Sequence, residues 1–417
     1  MHQPPRVRLR GDATSNGRDM RRALQTLVHG VPGPRKAPAG GQEVTTVLAP
    51  TSGANSQIHV VRPAELGPAE IAAWHRMQAA TPSLANPFLS AEFAMAVGRF
   101  RPDARVAILT EGQTTAGFFA FERRGLGLGV PIGGWLSGGQ GVVHAPEAQW
   151  DPQQLLRGCG LAAWQFDSLI AGQRQLRPYQ TAIKASPFID LTDGFEAYAA
   201  KLDLKSHRFC RELARKARKL GREAGELRIV ADSRDSKVLD TLIAWKSEQY
   251  RRTGQVDRFE HQWVRDLLQT LLMAGDEHAD GQLSVLYAGD RPVATQFGLR
   301  GGNLLSGWFT VYDTDFASYS PGLIQLMLMV EKLAQSGITT IHMGHGAVKY
   351  TENLKSDNMF VSVGMATSGS ILGAAHGFRG ASAQWALRNV RQHPGLHRVA
   401  DRVLRVSGIS RRTYGRI

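Results

Sequence analysis

The chain has 417 residues, 42% of them hydrophobic, enough for two or three domains and too apolar for a wholly disordered chain. Its charge of +14 is concentrated at the ends: residues 1–56 hold 8 basic and 3 acidic side chains and residues 366–417 hold 9 and 1, which leaves the body near +1. That distribution argues against a nucleic-acid binder, which shows a basic face on its folded domain.

Residues 1–56, with "HGVPGPRKAPAGG" at their centre, read as a disordered basic leader. Ordered sequence begins with the alternating strand "QIHVVRP". "GPAEIAAWHRMQAA" and "LSAEFAMAVGRF" carry helical apolar spacing, the second with Ser90 placed as N-cap. "ARVAILTEGQTTAGFFAFER" predicts two strands around a Gly-containing turn, and the Gly-rich stretch "RRGLGLGVPIGGWLSGGQG" follows. A helix near 153–157, a strand over 163–169 and a strand ending at "SPFIDL" come next. Residues 195–226 predict a strongly basic helix. Phe209, Leu213, Ala217 and Leu220 recur every three or four positions, and Arg208, Arg211, Arg215, Lys216, Arg218, Lys219 and Arg222 fill the other faces.

The second half is a strand, "LRIVA", then the helices "SKVLDTLIAWKSEQYRRTG" and "EHQWVRDLLQTLLMAG", stopped by Gly254 and Gly275. Three strands follow, "LSVLYAG", "RPVATQFGLRGG" and "NLLSGWFTVYD", separated by the hairpin signals Gly289-Asp290 and Gly301-Gly302. A polar loop leads to a helix over 321–336, the strand "TTIHMG", a helical piece near 349–354 and the strand "MFVSVGMA". The order is β-α-α-β-β-β-α-β-α-β, and the first half is a weaker copy, so two similar units in tandem are expected. The divisions are a leader 1–56, an N-terminal unit 57–195, a connecting helix 196–226, a C-terminal unit 227–366 and a basic tail 367–417. Trp385, Leu387 and Val390, then Leu396, Val399, Val403 and Leu404, give the tail two amphipathic faces for docking on the body or for contact with an anionic membrane surface.

Cys159 and Cys210, the only cysteines, have neither metal nor redox spacing. The most apolar run, "LIQLMLMV", meets Glu331 and Lys332 before it can span a bilayer, and no apolar signal core follows the Arg-rich start. A cytoplasmic location is expected, with peripheral contact on the inner face of the cytoplasmic membrane through the tail.

The element order, with "NPFLSAEFAMAV", "LIAWKSEQYRRTGQVDRF", "WFTVYDTDFASYSPGLIQL" and "MGHGAVKYTENL", resembles the GNAT acyltransferases. Within them it looks like the FemAB-like branch and the CelD/BcsL-type proteins associated with cellulose biosynthesis. The similarity spans residues 57–365. It implies an α+β fold of two tandem GNAT-like halves, each with a mixed, mostly antiparallel sheet flanked by helices. It also implies acyl transfer from acyl-CoA, such as acetyl-CoA, or from an acyl carrier, without a metal. The acceptor is an amine or hydroxyl of a cell-envelope or polysaccharide-related molecule, small or a glycan precursor.

Such a site must hold a long thioester beside a nucleophile. Donor phosphates suit the N–H groups of a helix N-terminus. The pantetheine arm suits strand backbone exposed where parallel neighbours splay at a bulge. The oxyanion needs fixed donors and the acceptor needs a base. The resemblance places the donor on strand 303–312 and the helix from Pro321, with Val311, Tyr312, Ser320 and Gly322 as contacts. Ser320 is placed to cap that helix and Pro321 to begin it. Tyr350, His345 and Tyr319 are the candidate catalytic residues. Lys246, Gln249 and Tyr250 share a helix face and, with Gln296 and Trp308, are candidates for acceptor binding.

The usual Arg/Gln-x-x-Gly-x-Gly/Ala motif is replaced by "DTDFASYSPG". The matching string Arg124-Gly125-Leu126-Gly127-Leu128-Gly129 is followed by Pro131, Gly133 and Gly134, so it predicts a hairpin rather than a phosphate-binding helix start. His342 and His345 have no further ligands near them in sequence and are not assigned a metal. Relatives often carry His at Gln296, an acidic residue near Ala347 and Val348, and Lys at Thr351. These departures fit altered specificity or a degenerate, binding-only subunit of a polysaccharide synthase or export system. A further alternative is aminoacyl-tRNA as donor, with the basic helix on RNA phosphates; the shortness of that helix speaks against it.

Overall fold

The protein is described from a computed structural model, which covers residues 56–344 and 351–377. The leader, residues 345–350 and most of the tail lie outside the described residues. In chain order the elements are β1 (Ser56–Val61), α1 (Pro68–Ala80), α2 (Ala91–Gly98), β2 (Ala104–Glu111), β3 (Thr114–Arg123), β4 (Leu128–Pro131), β5 (Val143–His144), α3 (Pro152–Gly158), β6 (Ala163–Leu169) and β7 (Gln180–Asp190). Then come α4 (Gly194–Ala224), β8 (Leu227–Val230), α5 (Ser236–Arg252), α6 (Gln262–Leu272), β9 (Asp280–Ala288), β10 (Arg291–Gly301), β11 (Leu304–Tyr312), α7 (Pro321–Gln335), β12 (Thr340–His342) and β13 (Asp357–Thr367).

Local chemistry sets these bounds. Ser90 Oγ accepts from Phe93 N–H at 3.0 Å and starts α2, as its sequence position predicts. Asp235 does the same for α5, accepting from Lys237 N–H at 2.8 Å. The tight turns after β9 and β10 use Gly289 and Gly302 at positive φ. The Arg124–Gly129 string makes a single 3-10 turn at Gly125–Gly127 between β3 and β4, which pair antiparallel, and then enters β4, so no α-helix starts there. Helix α4 departs from the expected single rod: Ser206 leaves helical geometry at φ −143°, ψ 41°, and kinks it.

The strands form one sheet in the order β1-β2-β3-β4-β6-β13-β7-β12-β11-β10-β9-β8, with β5 on β3. It is a near-palindrome about the antiparallel β13–β7 pair. Each flank has one parallel pair, β4 with β6 and β11 with β12, and its other neighbours are antiparallel. The fold is therefore mixed α and β in two similar halves. The difference from the sequence expectation is that the halves share a sheet, because β7 and β13 cross over: β7 sits beside β12, and β13 beside β6.

On one face a single core spans both halves, joining Trp74, Phe93 and Phe118 to Leu242, Phe259, Phe297 and Phe309 under α1, α2, α5 and α6. On the other face each half has its own core. Leu213, Leu220, Leu286 and Met329 meet under α4 and α7, and Phe119, Leu155 and Trp164 under α3. Burying each such side chain contributes roughly 1.5–3 kcal/mol, so the shared core holds the halves as one body.

Candidate functional site

Each half contains a place where two parallel strands meet, and the two places differ. In the N-terminal half, β4 and β6 pair at Leu128–Ala163 and Gly129–Trp164. Beyond them the Gly-rich stretch folds back and Gln140 fills the gap. Its backbone N–H donates to Ser168 O and its carbonyl accepts from Ile170 N–H, both at 3.0 Å. Its side-chain oxygen accepts from the N–H groups of Asp167 (2.9 Å) and Ser168 (3.0 Å), and its Nε2 donates to Ser137 O and Asp167 Oδ1. The following helix α3 begins with the Asp151 carboxylate bonded to Gln154 N–H, which puts negative charge in the first turn. That junction is closed by the chain itself.

In the C-terminal half, β11 and β12 pair only at Leu304–Thr340, Leu305–Ile341 and Ser306–His342. Strand β12 then ends, while β11 runs on to Tyr312. The β10–β11 register shifts between Phe297 and Gly298, so Trp308 is the extra residue of a bulge at the fork. Asp313 N–H donates to Val293 O at 3.0 Å, and by antiparallel alternation Phe309 and Val311 also bond to β10. The backbone groups of Thr310 and Tyr312 consequently turn to the open side. Among the described residues one group is bonded to them there: Lys246 Nζ, which donates to Thr310 O at 2.9 Å. At the fork stands Gly307, where a Cβ would lie 3.2 Å from His342 O, so any side chain would crowd the opening.

Helix α5 supplies the wall. Lys246 is half-buried, and burial, reinforced by the positive charge of Arg258, pushes its pKa down to about 8. Its ammonium lies 5.5 Å from the centre of the Tyr250 ring. Burial pushes the Tyr250 phenol up. Gln249 lines a small cleft with Trp245, Glu248 and Arg252 against residues 311–314. Val311 buries its side chain in the shared core, whereas Tyr312 is exposed. Gln296, opposite Thr310, is buried with its amide near Gly307. Trp308 stacks on Phe309 at 5.4 Å and meets Phe88 of the N-terminal half edge-on at 4.9 Å, so it ties the halves together beside the fork. His342 closes the short side, and burial depresses its imidazole to about 4, leaving it neutral at pH 7.

The loop into α7 is held by the basic helix. Ser320 does not cap α7 as its sequence position suggests. It takes a left-handed conformation (φ 58°, ψ 52°), and its hydroxyl accepts from Lys216 Nζ at 3.0 Å. Tyr319 donates to Glu223 Oε2 at 2.5 Å, which raises its pKa, and Lys219 sits 5.4 Å over its ring. Pro321 begins the helix, and a Cβ on Gly322 would rest 3.6 Å from Tyr312 Cδ1, an ordinary contact. His345, Tyr350, Ala347 and Val348 lie outside the described residues. Among the described residues no group of His, Cys, Asp and Glu is arranged to hold a metal, and no helix is long and apolar enough to cross a membrane. The sequence did not reveal Thr310 or Gln140. One acts through its backbone, and the other sits in a glycine-rich run with no motif. Lys216 carried a weak signal, as one of nine basic residues on α4.

Residues 207–352, which contain the part of α4 after its kink, α5 to α7 and the fork, match the family described as an acetyltransferase (GNAT) domain. No curated protein matches the chain in sequence. Among solved structures the chain is similar to FemX (9% identity, 69% of this chain and 94% of that one, TM-score 0.48). It is also similar to a tandem GNAT protein from the clavulanic acid biosynthesis pathway (11%, 76% and 99%, TM-score 0.45). A third is the C-terminal domain of a putative lysylphosphatidylglycerol synthetase from Agrobacterium fabrum (11%, 75% and 96%, TM-score 0.44).

Proposed function

We propose that the chain is an acyltransferase that takes an acyl group from acyl-CoA, acetyl-CoA being the simplest, and passes it to an amine or hydroxyl. The observation that carries this is the open edge of β11 past His342, with its bulge at Trp308 and its direct lead into α7. Backbone groups on a free strand edge pair with an extended amide chain as a further strand would. The outward N–H and C=O groups of Thr310 and Tyr312 suit a pantetheine arm in that role. Gly322 leaves room at the start of α7, and Lys216 stands 3.0 Å from Ser320 Oγ, so positive charge is available for phosphates. When bound, the donor supplies a thioester carbonyl as electrophile.

The acceptor side is the α5 wall, where Gln249 and Tyr250 orient the nucleophile. The neutral His342 imidazole at the fork is an acceptor for its proton. As the new bond to the acyl carbon forms and the C–S bond breaks, the leaving thiolate takes a proton. Gln140 closes the equivalent gap in the other half, so one site per chain is expected. The resemblance of residues 57–365 supports an acceptor from the cell envelope or a polysaccharide precursor.

A second donor, aminoacyl-tRNA, is favoured by one observation: Arg208, Arg211, Arg215, Arg218 and Arg222 are exposed along α4 beside the same loop. Calorimetry with CoA, acetyl-CoA and longer acyl-CoAs separates the two, run beside a salt-dependent gel shift with charged tRNA. Micromolar binding of acyl-CoA with thioester loss on adding acceptors supports the proposal. Binding without thioester loss indicates a binding subunit, and tRNA binding with no CoA binding overturns the donor assignment.

A further inference from the structure

We propose that Lys246 is a self-acylation site, its amine taking the acyl group from the donor laid along β11 when no acceptor is present. This rests on the donor assignment above. Helix α5 delivers Nζ to the open edge itself, 2.9 Å from the Thr310 carbonyl. An arm pairing with that edge must pass the amine.

Buried lysines are normally held by a carboxylate. Among the described residues Lys246 pairs with none. Its neighbours are a backbone carbonyl, the Tyr250 ring and the Arg258 cation, which is itself stacked 4.4 Å over Trp135. Glu248, two residues along α5, is exposed and does not share the face of Lys246, and Asp257, in the loop after the helix, is engaged by Ser247 Oγ and Phe259 N–H. A half-buried ammonium in such surroundings gives up its proton easily, and the free amine is a nucleophile.

The step balances without a further reactant. The Nζ–acyl bond forms, the C–S bond breaks, and the thiolate leaves with the proton that the amine loses. The product is an amide with no charge and no nucleophilic lone pair, with its acyl chain in the fork. The modified protein is therefore blocked to further donor, and acylation without an acceptor is self-limiting.

The test incubates the full chain with acetyl-CoA and maps acetyl-lysines by peptide mass spectrometry, with CoA binding measured by calorimetry on the same sample. One acetyl group per chain is expected at Lys246, added at least about tenfold faster than at exposed Lys237, as proximity requires. Excess CoA should slow labelling of Lys246 and not of Lys237. The labelled protein should bind CoA at least about tenfold more weakly, and Lys246→Arg should bind CoA yet take no acetyl group at this position. Binding of CoA with Lys246 unlabelled, or labelled at the rate of Lys237, overturns the inference and leaves the donor site standing. Absence of CoA binding overturns both.

Discussion

Lys246 and His342 show how single residues in this fork connect burial to pH. The folded lysine titrates near 8 against an ordinary value of 10.5, so the unfolded chain holds its proton to higher pH. Below pH 8 the full cost of burying the ammonium opposes folding, and that cost is relieved as pH rises from 8 to 10.5. Replacing Lys246 by Met should raise stability at pH 7 by about 1–3 kcal/mol, less the hydrogen bond to Thr310. The gain should fade toward pH 10, as urea midpoints at the two pH values would show. His342 is also depressed, from 6.5 to about 4, so the unfolded imidazole protonates first. The wild type should lose stability as pH falls from 6.5 through 4, and His342→Gln should remove that part of the acid sensitivity. Helical spacing placed Lys246, Gln249 and Tyr250 on one face from sequence. It could not show that Lys246 would meet a carbonyl on a strand 64 residues away, nor that Ser320 would turn left-handed instead of capping.

At the scale of elements the two parallel junctions are the informative pair. Gln140→Ala should cost roughly 2–4 kcal/mol, since the N–H groups of Asp167 and Ser168 lose a buried acceptor. It should leave CoA affinity unchanged, because the working junction lies in the other half; denaturant midpoints and calorimetry on one preparation check both. The β3–β4 loop contains a smaller test. Exposed Leu126 sits at φ 58°, where a side chain is strained, so Leu126→Gly should stabilise by about 1 kcal/mol in thermal melts. Hairpins, caps and helix stops were legible because each depends on a short local signal, such as Gly289 or Ser90. The kink at Ser206 was not, because it lies before the apolar spacing of Phe209 to Leu220 and no Gly or Pro marks it.

For the whole molecule, element order was enough to read two tandem halves, because each half repeats the same alternation of strands and helices. It did not disclose the exchange of β7 and β13 that merges them into one sheet. Strand neighbours are set by long-range packing that no local window records. Ile183 and Phe360, on the paired strands β7 and β13, are exposed. The proposed function puts the donor on the free edge of β11 and not on the N-terminal junction. Amide hydrogen exchange with and without acetyl-CoA tests it most directly. Protection of residues 307–312 and of the start of α7, with no change across 128–141, is the predicted result; unchanged exchange in β11, or protection confined to the N-terminal junction, would contradict it.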